Sequence, residues 1–236
     1  MDQKTTASPR LTRLLDTLLP NHCYLCDHPS SLPLCKDCSE ELPTIGIACK
    51  VCALPMVASS EYLCGECLKK NPTFDRVYSP LNYSGQVPTL INRFKHRGHI
   101  QTGKQLSEYL LQTCIHAADR PDALVAVPLH WRHQLMRGFN QAEVIAKYLA
   151  KRLDIPLIHP LRKVAATRHQ QQLNRRQRMV NNQHAFNLRH TVDYSHLAIV
   201  DDVMTTGATA ETLSAIFKRN GVQKVSVYAL ARTPKP

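Results

Sequence analysis

The chain has 236 residues, 43% hydrophobic and 20% charged, the usage of an ordinary globular protein of one or two domains. No apolar run approaches the roughly 20 residues that cross a bilayer, and the mixed polar start Met1-Asp2-Gln3-Lys4 lacks a secretory pattern, so a cytoplasmic protein is expected. Thirty Lys and Arg against 18 Asp and Glu give a formal charge of +12, but residues 1–75 hold seven basic and nine acidic side chains, leaving 23 and nine, a surplus of +14, in residues 76–236.

Along the chain, Leu11, Leu14, Leu15, Leu18 and Leu19 recur at helical spacing before Pro20 and predict a short amphipathic helix. Eight of the nine cysteines then form four Cys-x-x-Cys pairs: Cys23 with Cys26, Cys35 with Cys38, Cys49 with Cys52, and Cys64 with Cys67. Zinc favours four tetrahedral thiolates and one tight knuckle supplies two, so eight ligands predict two structural zinc ions. Disulfides do not suit a cytosolic chain. Pairing the knuckles in sequence gives the shorter loops, and interleaved pairing stays open. A cysteine-rich segment has no core without metal, so chelation is expected to unfold residues 23–67 and leave the remainder intact. Asn71-Pro72-Thr73-Phe74-Asp75 reads as a linker. It sets domains of 1–74 and 75–236.

A strand-like stretch follows over 76–83, then helical patterns over about 86–96 and 101–118, where the ninth cysteine, Cys114, reads as a helix-core residue. An apolar strand over 123–127 stops at Pro128, and a helix is predicted over about 140–153 with Ala142, Ile145, Ala146 and Leu149 on one face. A strand over 196–200, a helix over 209–219 ended by Gly221, and a valine-rich strand over 222–231 complete the pattern. Alternating strands and helices mean an α/β domain with a mostly parallel sheet and crossover helices.

In such sheets ligands gather at the carboxyl ends of strands, where this chain carries Asp201-Asp202-Val203-Met204-Thr205-Thr206-Gly207-Ala208-Thr209. A small polar turn leading into a helix offers backbone N–H groups and threonine hydroxyls to a phosphate. The adjacent acids can accept hydrogen bonds from vicinal sugar hydroxyls or hold Mg²⁺-bound water. Together they describe a ribose phosphate.

That string resembles the signature of type I phosphoribosyltransferases, which bind 5-phosphoribosyl 1-diphosphate (PRPP). The resemblance implies that Asp201 and Asp202 bind the ribose hydroxyls and that residues 205–209 cradle the 5-phosphate, with Mg²⁺ accompanying PRPP. Val127-Pro-Leu-His130, Arg137-Gly-Phe-Asn-Gln141, Thr167-x-x-Gln170-x-x-Leu173, Arg178-x-x-Asn181 and Ala185-Phe186, with the cysteine-rich start, look like the ComF family of competence proteins. Membership would imply a double zinc ribbon joined to a phosphoribosyltransferase domain, and a late cytoplasmic step of DNA uptake in natural transformation alongside uptake-machinery proteins. The loop from Pro128 to Gly138 stands where type I enzymes place their pyrophosphate loop, and His130, Arg132 and Arg137 are its candidate diphosphate partners. Thr205 stands where 6-oxopurine enzymes carry an acid, which disfavours purine salvage.

Between Asp154 and Asp193 there is no carboxylate, while Arg162, Lys163, Arg168, Arg175, Arg176, Arg178 and Arg189 occur with four histidines. This stretch suits a polyanion, and Arg168, Arg175, Arg176 and Arg178 are the candidate contacts to single-stranded DNA. Phe139, Phe186 and Tyr194 are the aromatics that could stack bases, although the two phenylalanines more often serve as core. Lys95, Arg97 and His99 form a second basic cluster that suits a polyanion. Two readings stand beside the DNA-uptake one: a phosphoribosyltransferase with an unknown acceptor, and a zinc-ribbon interaction platform on an inactive fold.

Overall fold

The computed structural model describes residues 22–57, 63–96, 99–117, 119–129, 138–163 and 185–235. The predicted helix around Leu11 to Leu19 lies outside them. By compactness the chain divides into two units, residues 1–42 and 43–236. By this measure the second cysteine set falls in the same unit as the sheet.

Each cysteine set is built from the same local pieces. In the first, Cys23 N–H donates to the His28 carbonyl and Asp27 N–H returns to Cys23, at 2.8 and 2.9 Å, closing a turn in which Asp27 is left-handed (φ 59°). In the second, Cys49 N–H donates to Leu54 and Ala53 N–H to Cys49, both at 2.9 Å, with Ala53 at φ 53°. The other pair of each set comes from a one-turn helix. Cys35 precedes α1 (Lys36–Glu40), which holds Cys38, and Cys64 precedes α2 (Gly65–Lys69), which holds Cys67.

The larger unit continues through β1 (Arg76–Tyr78), β2 (Leu81–Asn82), α3 (Val87–Phe94), α4 (Ile100–Ile115), β3 (Ala123–Ala126) and α5 (Gln141–Leu153). It then runs through β4 (Leu157–Ile158), β5 (Leu161–Lys163), β6 (Phe186–Leu188), β7 (His196–Met204), α6 (Ala208–Arg219) and β8 (Lys224–Arg232). The main sheet has the order β1-β8-β7-β3-β4, with β2 also on β8, and its pairs are parallel. Strands β5 and β6 form a separate antiparallel pair. The sheet and its crossover helices follow the predicted α/β pattern. The pattern missed β4, β5 and β6, because two or three residues are too few to show a period.

Side chains alternate across a strand, and the two faces of this sheet take different covers. Ala123, Val125, Leu197, Ile199 and Val225 pack with Leu213 and Phe217 of α6. Tyr228 points the other way, meeting Tyr78 edge-on at 5.4 Å and bonding to Cys114 of α4. Cys114 is buried, as a helix-core residue should be, and burial pushes its thiol up.

The second cysteine set does not stand apart from this core. Cys49, Cys52, Cys64 and Cys67 are buried in one cluster with Phe74, Val77, Met204, Val227 and Ala229. Val77 N–H donates to the Val51 carbonyl at 2.8 Å. The expectation that residues 23–67 unfold as one separable segment therefore differs from the structure, since half of that segment shares its apolar contacts with the sheet. The linker is also docked. Thr73 N–H and hydroxyl both donate to Glu211 of α6, and Asp75 accepts from Val225 N–H at 2.7 Å and pairs with Lys218 at 2.9 Å.

Candidate functional site

Strand β7 extends four residues beyond Val200 and ends at Met204, so Asp201 and Asp202 lie within the strand rather than in the turn after it. Neighbouring strand residues point to opposite faces. The two acids accordingly meet different neighbours. Asp202 faces Lys95, just past the end of α3, with Oδ2 3.8 Å from Nζ. Burial first, and the negative charge of Asp202 second, raise the Tyr83 hydroxyl above its usual range. Asp201 is raised well above the ordinary carboxylate range by burial and then by Asp202, against which the positive charge of Lys163 acts. Burial in turn lowers the Lys163 ammonium, with Asp201 opposing, and its Nζ lies 5.3 Å from the centre of the Phe186 ring.

Beyond Met204 the chain turns through Thr205, Thr206 and Gly207 into α6. Gly207 takes φ 79°, a left-handed value that a Cβ disfavours, and a Cβ built there would lie 2.8 Å from Met204 Cε. Glu211 N–H bonds to the Gly207 carbonyl at 2.8 Å, and the Thr206 hydroxyl accepts from Ala208 N–H at 3.4 Å. Asp201, Met204 and residues 205–209, together with Val127 just past β3 and the apolar Ile199, Val203, Ala210 and Val227, line a small open cleft of about 40 Å³, and Asp202 is not among its lining residues. Its chemistry is one carboxyl group, that of Asp201, among apolar strand residues, a turn of small residues and hydroxyls, and the amino end of a twelve-residue helix, which favours negative charge.

Asn140 ties a second strand end to this place. Its side chain caps α5 by accepting from Ala142 N–H at 3.1 Å, while its amide donates to the Val127 carbonyl at 2.9 Å. That bond fixes the two ends of the loop expected to hold a diphosphate. His130, Arg132 and Arg137 themselves lie outside the described residues, as do Arg168, Arg175, Arg176 and Arg178 and the Arg97 of the second basic cluster. Of the aromatics proposed to stack bases, Phe186 is buried in the core with Leu161, Ala185 and Leu197. Phe139 packs on Phe94 with ring centres 5.9 Å apart, and Tyr194 is packed against the core that holds Phe186. Core packing accounts for Phe186.

The acids, the turn and Lys95 were legible in the sequence, whereas Lys163 had only a place in a basic stretch and Arg232 was passed over. Arg232 is a cation closing a run, Val225 to Ala231, that is apolar but for Ser226, which was its one visible signal. Its Nε donates to the Cys52 carbonyl at 2.9 Å and its Nη1 to Met204 at 3.0 Å and to Thr205.

The cysteines form two sets paired in sequence order, Cys23, Cys26, Cys35 and Cys38, and Cys49, Cys52, Cys64 and Cys67, with the sulfurs of each set within 4.8 Å of one another. Interleaved pairing is thereby excluded. Four sulfurs about 2.3 Å from a tetrahedral zinc sit about 3.8 Å apart. Cys26 and Cys35 are 3.7 Å apart and Cys52 and Cys64 3.6 Å, and Cys64 N–H points at Cys49 Sγ at 3.3 Å, so both sets fit structural zinc.

Residues 14–68 match the model of the double zinc ribbon domain. Among solved structures the chain is similar to the allosteric regulatory enzyme of purine biosynthesis, with TM-score 0.39 and 18% identity over 56% of this chain and 26% of that one. Another is a purine phosphoribosyltransferase from Pyrococcus horikoshii, with TM-score 0.31 and 18% identity over 66% and 78%. The sequence is 34% identical over 224 residues to the DNA utilization protein YhgH of Escherichia coli K12, covering 91% of this chain and 98% of that protein. It is 31% identical over 221 residues to Competence protein F of Haemophilus influenzae, covering 89% and 95%. With the double ribbon in front, the parallel sheet behind and relatives of this closeness along nearly its whole length, the chain belongs to the ComF family of competence and DNA-utilization proteins.

Proposed function

We propose that this protein acts in a late cytoplasmic step of DNA uptake, binding PRPP at the β7–α6 turn and single-stranded DNA through its basic segment. The observation that supports the ligand most is the cleft at the end of β7, where Asp201 and the turn 205–209 share one wall-and-floor arrangement. In this reading the 5-phosphate sits on the N–H groups and hydroxyls of residues 205–209, and Asp201 and Asp202 accept from the ribose hydroxyls. Lys95 beside Asp202 and the positive charge of Lys163 acting on Asp201 ease the approach of an anion to the two acids. His130, Arg132 and Arg137 supply the diphosphate partners from the loop that Asn140 anchors. Two carboxylates are hard oxygen donors of the kind Mg²⁺ takes, so Mg²⁺ enters with the diphosphate and neutralises part of its charge.

The DNA assignment rests on the absence of acids between Asp154 and Asp193 and on Arg168, Arg175, Arg176 and Arg178, with the names of the relatives pointing to DNA handling. The ribbons suit docking to other proteins of the uptake machinery. Among the described residues no helix is long and apolar enough to cross a membrane. Isothermal titration of the zinc-loaded chain with PRPP and Mg²⁺, with and without a single-stranded oligonucleotide, tests the proposal. Saturable binding of both supports it. Failure to bind PRPP removes the ligand assignment, and steady PRPP consumption without DNA moves the reading to a phosphoribosyltransferase.

A further inference from the structure

Strand β8 is apolar from Val225 to Ala231 but for Ser226, and ends on Arg232, which is 5% exposed. Among the described residues no carboxylate pairs with it. Its bonds go to backbone carbonyls alone: those of Cys52, Met204 and Thr205 already described, and that of Thr233 at 3.1 Å. A buried cation without a counter-ion is costly. A planar fork of donors repays that cost only by holding several acceptors at once. Here the acceptors belong to two distant stretches, the Cys49–Cys52 knuckle and the start of the β7–α6 turn.

We infer that Arg232 is a positioning residue that braces the ligand turn against the Cys49–Cys52 knuckle, making the second cysteine set part of the frame of the ligand site. The described peptide bonds are trans, so each N–H points opposite to the carbonyl of its own peptide unit. Holding the carbonyls of Met204 and Thr205 toward Arg232 therefore turns the N–H groups of Thr205 and Thr206 away from it, to the free side of the turn. A second strut runs parallel. Phe74 is buried in one cluster with Cys64, Cys67 and Met204 and lies 3.8 Å from the place of a Gly207 Cβ, and Thr73 beside it clamps Glu211 on α6. The first cysteine set belongs to the other compact unit.

The inference rests on reading the turn as a phosphate cradle, yet its first consequence, the rigidity of the turn, is measurable without any ligand. Arg232→Gln and Arg232→Lys in the full zinc-loaded chain are compared with wild type by zinc content, by amide hydrogen exchange of residues 204–209 and by PRPP titration. The expected result is two zinc ions retained, faster exchange in 204–209 and, since bonds from a charged donor are lost, roughly tenfold or greater weakening of PRPP for Gln. Lys, which keeps the charge without the fork, should recover part of the affinity. Exchange and affinity equal to wild type in a folded Gln variant overturn the inference. Should Gln fail to fold, Lys carries the comparison: faster exchange than wild type supports bracing, and equal exchange overturns it. If wild type itself does not bind PRPP, the ligand reading fails and the exchange comparison alone decides the brace.

Discussion

Gly207→Ala tests the ligand turn with a single methyl group. Gly207 holds φ 79°, and the new Cβ would lie 2.8 Å from Met204 Cε, the far end of a flexible side chain that is itself buried. A left-handed residue with a Cβ costs about 1–2 kcal/mol, and the stiffer unfolded chain returns about 0.4–1 kcal/mol of it. For a domain of this size the net loss lowers Tm by up to about 6 °C. If the turn relaxes to relieve the strain, binding must restore it at about 1–2 kcal/mol, which is roughly 5- to 30-fold in PRPP affinity. Gly221→Ala is the control: it has φ 94° with no atom within 4 Å of its Cβ, at the far end of α6. It should lose similar stability with PRPP affinity intact. Calorimetric melts and PRPP titrations of both variants decide the matter. Equal PRPP affinity in the two variants would refute the role given to the turn.

Elemental analysis should find two zinc ions per chain, one for each tetrad. Cys26→Ser should remove one and leave the melting of the larger unit unchanged, while Cys52→Ser should lower that transition, since its set is buried with Met204 and Val227; equal effects would contradict the division. Because Asp201 is raised in the folded state, the native protein holds a proton that the unfolded chain releases above about pH 3.9. Stability therefore falls as pH climbs from there through the folded value. Asp201→Asn should flatten that slope and be the more stable protein at pH 8 in urea titrations, and an unchanged slope would refute the assignment. On single-stranded DNA each phosphate contact adds about 0.7 to the logarithmic salt slope, so four arginine contacts should weaken binding roughly 600-fold per decade of salt. Arg175→Ala, Arg176→Ala and Arg178→Ala together should cut the slope by about 2, and an unaltered slope would move the DNA contact elsewhere.

The sequence by itself determined what local chemistry controls. Four Cys-x-x-Cys pairs specify tight turns, and their spacing favoured the sequential tetrads that the sulfurs form. Apolar runs alternating with amphipathic helices gave the parallel sheet, and the turn after Met204 was legible because glycine, hydroxyls and a following helix are all neighbours in the chain. Only the tertiary structure decided which distant groups meet. The charge of Lys163 acts on Asp201 from a three-residue strand too short to leave a period, and Arg232 touches Cys52 across 180 positions. The second cysteine set reads as part of a small separate module, yet it is buried against the sheet that follows. Spacing along a chain reports which side chains can share a turn or a face. It carries no record of which carbonyls a buried arginine will find, because that is set by how the whole sheet packs.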